Sequence, residues 1–286
     1  MKLTHKIYFK IAETIRKTGV HRFYKPKNTA KSISPFKLVY FCGTEGINYL
    51  NASLVSIQKY WNTIPEIIII SDGTPIEAIK SQLLVWPEKM DFIYWKEAAL
   101  HFEKLGDSDL TKYATGELWV KKYVSILYCA TKFPILYSDT DILWYADIGS
   151  HLPHEKPVLK MCQDIENCYS GQLLGELQLD ELNHTPPLNA GLIYANGDFS
   201  VYPGWKALCK YLADKPDNRT EQTAFAVLNN YFNPDKTFLL NEVLIKIDDA
   251  YGFKFTGCRY KQIIARHYVN MKTTAFWRDF VYMLLK

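Results

Sequence analysis

Apolar residues along the chain form two patterns: short uninterrupted runs, and longer stretches in which they recur every three or four residues. The short runs predict strands, which lie at 38–41, 67–70, 92–94, 135–137, 158–161, 243–247 and 263–268. The longer stretches predict helices, which lie at 3–18, 49–61, 76–84, 117–130, 220–228 and 276–285. Because strands and helices alternate, we expect an α/β fold with a mainly parallel central sheet and helices on both faces.

Three segments add detail to this picture. Residues 163–187 follow neither pattern, and we expect them to be irregular. The helix at 117–130 carries one apolar stripe, and Lys122 lies off that stripe. The last helix is amphipathic, and we expect it to dock on the core rather than to enter a membrane.

The charge of the chain is unevenly distributed. The net charge of +4 is too weak to favour nucleic acid as a partner, and a hydrophobic content of 48% is enough for a large core. Residues 1–37 hold ten Lys or Arg residues and one acidic residue, Glu13, for a net of +9. We expect a basic helical arm at residues 1–35 that contacts an anionic membrane surface or an anionic acceptor. A solvated helix and loop is the alternative.

The six cysteines show neither a CxxC pair nor the spacing of a zinc site. Several lie in apolar runs and are expected to be buried thiols, as in proteins of a reducing compartment. No apolar run reaches the length of a membrane span, and the first residues lack the apolar core of a signal peptide. We therefore expect a cytoplasmic protein, in peripheral contact with a membrane at most.

Two aspartates follow the predicted strand at 135–137. In extended backbone alternate side chains share a face, so Asp139 and Asp141 are expected to lie side by side. Carboxylates this close repel each other unless a cation lies between them, which favours a hard divalent ion with oxygen ligands. Two solvated turn aspartates are the alternative.

Polar groups stand at or just past the ends of four of the predicted strands: Gly43 and Thr44, then Asp72, then Asp139 and Asp141, then His267. If these strands are parallel, the groups meet at the carboxyl edge of the sheet, where open α/β sheets bind ligands. His267 is then a candidate third metal ligand. An imidazole beside two carboxylates favours Mn²⁺ over Mg²⁺.

Five motifs in this order resemble those of the GT-A glycosyltransferases. They are an early nucleotide-binding strand, Asp139-Thr140-Asp141, Leu188-Asn189-Ala190-Gly191, Glu221-Gln222, and His267-Tyr268 followed by Lys272. The pattern covers roughly residues 36–277 and is most similar to the retaining, glycogenin-like and bacterial galactosyltransferase-like family.

The resemblance implies a single GT-A type, Rossmann-like domain at 36–286, with a nucleotide-binding half at 36–145 and an acceptor and catalytic half at 146–286. It implies that a sugar moves, with Mn²⁺ or Mg²⁺, from a nucleotide-diphosphate donor such as a UDP-sugar to a glycan or lipid-linked acceptor, with retention. The implied metal ligands are Asp139, Asp141 and His267. The implied donor-binding residues are Phe41, Gly43, Thr44, Asp72, Lys122 and Lys272, and the implied catalytic residues are Asn189, Glu221 and Gln222.

Two other functions are compatible with parts of this pattern. A phosphatase of the haloacid dehalogenase type also has a strand followed by D-x-D. Such phosphatases also have a later Gly-Asp, followed by another acidic residue, that binds the metal. The candidate in this sequence is Gly197-Asp198, but Tyr202 stands where the following acidic residue is needed. The other alternative is a non-catalytic nucleotide-sugar binder of the same fold.

Overall fold

The computed structural model describes residues 3–19, 24, 31–153, 156–233, 236–245, 263–269 and 272–285. Within these residues the strands are β1 Ser32–Ile33, β2 Lys37–Cys42, β3 Thr63–Ile64, β4 Ile67–Ser71, β5 Met90–Tyr94, β6 Ile135–Ser138, β7 Ile142–Trp144, β8 Val158–Gln163, β9 Leu188–Asn196, β10 Val243–Ile245 and β11 Ala265–His267. The α-helices are α1 Leu3–Thr18, α2 Ile47–Tyr60, α3 Ile76–Lys80, α4 Trp95–Lys104, α5 Ser108–Ala114, α6 Leu118–Lys132, α7 Gly171–Glu176, α8 Trp205–Asp214, α9 Thr220–Phe232 and α10 Lys272–Leu285. None of these helices is long and apolar enough to cross a bilayer.

Six strands form the central sheet in the order β5-β4-β2-β6-β9-β8. β5, β4, β2 and β6 are parallel to one another, and β9 runs antiparallel to both of its neighbours. The β-branched run of β4 is buried at every position, as expected of a strand covered on both faces. The predicted α/β fold with a mainly parallel sheet is confirmed.

Both faces of this sheet are covered. Alternate residues of a strand point to opposite sides, so each strand contributes to two apolar clusters. On one side Val39 and Tyr137 pack with helices α4 to α9. On the other side Leu38 and Leu136 pack with α2 and a second sheet. The sheet is thereby fixed from both sides, and so are the residues that follow its strands.

The second sheet has three strands in the order β10-β11-β7. β11 is antiparallel to β7, and His267 pairs with Ile142. The expectation that the strand before His267 runs parallel within the main sheet is therefore wrong. The pairing still brings His267 to the two aspartates, because β7 begins at the residue that follows Asp141.

Four helices lie where the sequence pattern predicts none: α4, α5, α7 and α8. α5 and α7 have seven and six residues, which is too short for a helical period to stand out. α4 starts directly after β5, so no turn residue separates the strand pattern from the helix pattern. The predicted helix at 76–84 is shorter than expected and ends at Lys80.

The first and last helices pack against each other. α10 docks on the core as predicted, and its Phe276 and Trp277 rings contact Tyr49 of α2. Ala12 is the buried residue of α1 in this cluster. The basic helix is therefore seated on the C-terminal helix.

A buried ion pair ties α10 to β11. The Arg266 Nη1 and Asp279 Oδ2 atoms are 2.9 Å apart, and both side chains are fully inaccessible. The same Asp279 oxygen accepts a hydrogen bond of 2.8 Å from the Tyr268 hydroxyl, and Arg278 Nε donates to the other oxygen at 2.6 Å. Since Arg266 and Tyr268 flank His267, this carboxylate fixes the strand that carries the histidine.

We expect Asp279→Ala to lower the free energy of unfolding by about 3–5 kcal/mol, because it removes the carboxylate that pairs with the buried Arg266 guanidinium. Urea denaturation followed by circular dichroism measures the change. Glu176→Ala is the matched control, since it breaks an ion pair with Lys215 in which both side chains are about half exposed, and such pairs add little stability. Equal losses in the two variants would contradict the assigned role of Asp279.

Candidate metal centre and adjoining cleft

Asp139 directly follows β6, and Asp141 lies in the turn that leads into β7, so the expectation that both lie in one extended stretch is wrong. The backbone nevertheless holds both. The Asp139 amide donates to the Gly191 carbonyl at 2.7 Å, and the Asp141 carbonyl accepts from the Tyr268 amide at 3.1 Å. The turn is thus attached to β9 on one side and to the end of β11 on the other.

Asp139, Asp141 and His267 offer one ligand atom each within 4.8 Å of one another. His267 Nε2 lies 3.6 Å from Asp139 Oδ2 and 3.4 Å from Asp141 Oδ1. Neighbouring ligands of an octahedral ion with bonds of about 2.1 Å are about 3 Å apart, so these three atoms fit one small divalent ion. Two carboxylates and an imidazole are also a donor set that suits Mn²⁺.

The imidazole of His267 is almost completely buried. Burial lowers its pKa, but the carboxylates of Asp141 and Asp139 raise the pKa by more. Its ring packs directly on β9 at Gly191, where a Cβ atom would lie 2.1 Å from Cε1 and 2.5 Å from Nδ1. The ring can therefore reach the aspartates because residue 191 has no side chain.

Lys122 of α6 lies between two carboxylates. Its Nζ atom is 3.0 Å from Glu221 Oε1 and 3.6 Å from Asp139 Oδ1, and it donates to the Ala190 carbonyl at 3.2 Å. Burial lowers the pKa of Lys122, but Asp139 and Glu221 raise it by more, so the ammonium stays charged. Burial raises the pKa of Glu221, and Lys122 opposes that effect. Lys122 is therefore a largely buried lysine held between two carboxylates, and not an exposed helix lysine.

An open cleft of about 560 Å³ adjoins these groups at the carboxyl ends of β2, β4 and β6. Its lining includes the predicted residues Phe41, Gly43, Thr44, Asp72, Lys122 and Asp139. Trp119 and Leu118 of α6 also line it and were not predicted to, because a partly exposed apolar residue on a helix carries no distinct signal in the sequence.

Gly43 and Asp72 are in contact at the end of the cleft. A Cβ atom at residue 43 would lie 1.9 Å from Asp72 Oδ2. The other carboxylate oxygen accepts a hydrogen bond from the Thr74 amide at 2.9 Å, which fixes the side chain. The Asp72 carboxylate therefore occupies the space that a side chain at residue 43 would fill.

The predicted catalytic residues lie on two elements, Asn189 on β9 and both Glu221 and Gln222 on α9. The Asn189 Nδ2 atom donates to Asp164 Oδ2 and its Oδ1 atom accepts from the Gly191 amide, both at 2.8 Å. Gln222 follows Glu221 in α9, and its Nε2 atom is buried with no hydrogen-bond partner among the described residues. The side chain of Lys272 lies outside what the structure describes.

Sequence reasoning missed two residues that hold this site. Asp164 orients Asn189, and the Tyr137 hydroxyl donates a hydrogen bond of 2.5 Å to Asp139 Oδ1. Asp164 is in a segment without periodicity, so nothing in the sequence links it to β9. In the sequence, Tyr137 cannot be distinguished from the other apolar residues of a buried strand.

No protein-family model matches this sequence, and no curated protein is significantly similar to it. Solved structures do match. The WbbM bifunctional glycosyltransferase is 15% identical, with a TM-score of 0.51 over 85% of this chain and 47% of its own. Mouse xyloside xylosyltransferase 1 is 15% identical, with a TM-score of 0.50 over 82% of this chain and 97% of its own. The galactosyltransferase LgtC, in complex with donor and acceptor sugar analogs, is 13% identical, with a TM-score of 0.51 over 85% of this chain and 95% of its own.

This chain has the GT-A fold. It spans about half the length of WbbM and nearly all of the other two proteins. Since the identities are 13–15%, the similarity establishes the fold, and the chemistry has to be argued from the residues of the site.

We expect Gly191→Ala to weaken Mn²⁺ binding, because the added methyl group displaces the His267 ring, and to destabilise the fold by about 1–3 kcal/mol through overpacking. Manganese electron paramagnetic resonance measures the affinity, and urea denaturation measures the stability. Gly171→Ala is the matched control, since a Cβ atom there meets nothing within 4 Å. Wild-type Mn²⁺ affinity in Gly191→Ala would contradict the packing assigned to this glycine.

We expect Tyr137→Phe to weaken Mn²⁺ binding at least about tenfold, which is the usual effect of removing a group that orients a metal ligand. The substitution keeps the ring and removes only the hydroxyl that donates to Asp139. Tyr123→Phe is its control: that hydroxyl is also buried but has no hydrogen-bond partner among the described residues. If both variants bind Mn²⁺ equally well, Tyr137 does not position Asp139.

Proposed function

We propose that this chain is a metal-dependent glycosyltransferase that moves a sugar from a nucleotide-diphosphate donor, a UDP-sugar, to a glycan or lipid-linked acceptor. The observation that carries the proposal is the meeting of Asp139, Asp141 and His267 beside an open cleft, at the edge of the sheet where α/β folds bind ligands. The GT-A fold supports the same reaction class.

In this proposal Asp139, Asp141 and His267 hold Mn²⁺ or Mg²⁺. The bound ion supplies Lewis acidity to the diphosphate group that leaves the sugar. Lys122 lines the cleft and keeps its charge, so its ammonium group adds positive potential where the phosphates bind.

The donor nucleotide occupies the cleft formed by the strand ends. Phe41, Gly43, Thr44 and Asp72 contribute to its lining. Because Gly43 has no side chain, the Asp72 carboxylate lies against it and provides a hydrogen-bond acceptor at that end of the cleft. These residues, like Lys122 and Asp139, come from 36–145, which supports that range as the donor half and 146–286 as the acceptor half. Lys272 is proposed as a second contact to the phosphates.

Glu221, Gln222 and Asn189 are the proposed catalytic residues. Bond breaking at a glycosidic centre gives an oxocarbenium-like transition state, which an adjacent carboxylate or amide oxygen stabilises. Glu221 lies next to Lys122, and Lys122 contacts Asp139, so the α9 pair is close to the metal ligands. We propose retention of configuration, in which the departing phosphate accepts the proton of the acceptor and no separate general base is required.

The phosphatase alternative finds no support in this geometry. Gly197 and Asp198 follow β9, which is antiparallel to β6, so they lie near the amino end of β6 and away from Asp139. A second acidic motif would have to lie beside the first. A non-catalytic binder of the same fold remains as the second candidate, and turnover distinguishes it.

A cytoplasmic location is part of this proposal. Cys42, Cys129, Cys162 and Cys209 are buried thiols, a use of cysteine typical of reducing compartments.

We expect one UDP-sugar to stabilise the protein in a thermal-shift screen when Mn²⁺ is present, and not without it. Binding to the native state alone adds about 2.7 kcal/mol at a ligand concentration of 100 Kd. Asp141→Ala should remove both this stabilisation and sugar transfer. Asp198→Ala is the matched control, because it removes an exposed aspartate at the opposite edge of the sheet.

The outcomes separate the candidates. Metal-dependent binding without release of UDP or transfer to water or an added glycan identifies a non-catalytic binder. Full activity of Asp141→Ala contradicts the metal site. Nuclear magnetic resonance of the anomeric proton in the first product tests retention, and an inverted product overturns it.

A further inference from the structure

Four large apolar side chains of α1 are exposed. Phe9 is 43% exposed and lies apart from the others. Leu3, Ile7 and Ile11 are 75%, 49% and 41% exposed. Their spacing of four residues places them in one row along the helix, which we call the apolar stripe. Ala12, on another side of the helix, is the residue buried against α10. Single exposed apolar residues are ordinary, but a continuous row of them marks an interaction surface.

A row of lysines accompanies the apolar stripe. Lys6, Lys10 and Lys17 are exposed. At about 100° of rotation per residue, they occupy the arc of α1 next to Leu3. Glu13 is the single acidic residue among residues 1–37, and its carboxylate pairs with Arg16 at 3.0 Å and with Lys17 at 3.7 Å, so it does not neutralise Lys6 or Lys10. The exposed side of α1 therefore combines hydrocarbon with positive charge.

This combination selects among the partners that α1 could bind. A soluble polyanion would neutralise the lysines but leave the apolar stripe in water. A second copy of the chain would cover the stripe but bring lysines against lysines. An anionic bilayer surface offers phosphates to the lysines and apolar depth to the stripe, as it does for other interfacial amphipathic helices.

We propose that α1 binds the surface of an anionic lipid bilayer, with the apolar stripe inserted among the headgroups and Lys6 and Lys10 at the lipid phosphates. The helix lies along the surface, because its lysines prevent it from spanning the hydrocarbon. This inference does not depend on the proposed sugar transfer, since membrane binding needs neither donor nor metal.

Cosedimentation of the full chain with vesicles tests the proposal. We expect binding to phosphatidylcholine vesicles that contain phosphatidylglycerol, little binding to pure phosphatidylcholine, and weaker binding as salt is added. Ile7→Gln/Ile11→Gln should reduce binding about tenfold by removing the inserted hydrocarbon. Lys6→Gln/Lys10→Gln should reduce it about fivefold for each lysine.

Matched controls make the same chemical changes elsewhere on the surface. Val85→Gln/Leu105→Gln replaces side chains that are 90% and 67% exposed. Lys89→Gln/Lys104→Gln removes two exposed lysines outside α1. Both controls should bind like the wild type, and circular dichroism should show every variant folded, since all the changes are at exposed positions.

Three results would overturn the proposal. One is binding that does not depend on phosphatidylglycerol. Another is an equal loss of binding in the α1 variants and their controls. The third is a dimer in analytical ultracentrifugation that Ile7→Gln/Ile11→Gln dissociates, because a second copy of the chain would then be the occupant of the apolar stripe.

Discussion

Repulsion among three carboxylates is the constraint around which this site is organised. Asp141 and Glu221 are buried and Asp139 is partly exposed at the cleft, so the three carboxylates repel one another in a region with little water. Lys122 contacts two of the three, and its charge persists because those carboxylates raise its pKa by more than burial lowers it. One ammonium against three carboxylates leaves a negative potential beside the cleft, so a cation is the species that the site attracts.

The charged groups of this site come from distant parts of the chain. They can converge because side chains pack directly against backbone at two glycines. The antiparallel pairing of β11 with β7 brings His267 to the aspartates from a second sheet. Gly191 lets the imidazole lie directly on β9, and Gly43 leaves room for the Asp72 carboxylate. In both places a glycine is required by a neighbouring side chain and not by its own backbone angles, which lie outside the left-handed region.

The sequence predicts what is encoded locally and misses what depends on tertiary pairing. The buried run of β4 and the aspartates after β6 were both predicted, because a few adjacent residues are enough to identify each of them. The helices α5 and α7 are too short to show a period. The role of Asp164 depends on a contact with Asn189 across the fold, which no local pattern encodes. The sequence predicted that His267 lies beside Asp139 and Asp141, on the assumption that its strand is parallel to the others. His267 does lie beside them, but through the antiparallel pairing of β11 with β7.

The proposed membrane surface and the proposed metal site are joined by two buried contacts. α1 packs on α10, and Asp279 of α10 holds Arg266 and Tyr268 on either side of His267. Buried contacts of this kind resist deformation because protein interiors are densely packed. With α1 on a bilayer, the metal ligands would therefore be held at a fixed distance from the lipid, which suits an acceptor that is itself anchored in the membrane.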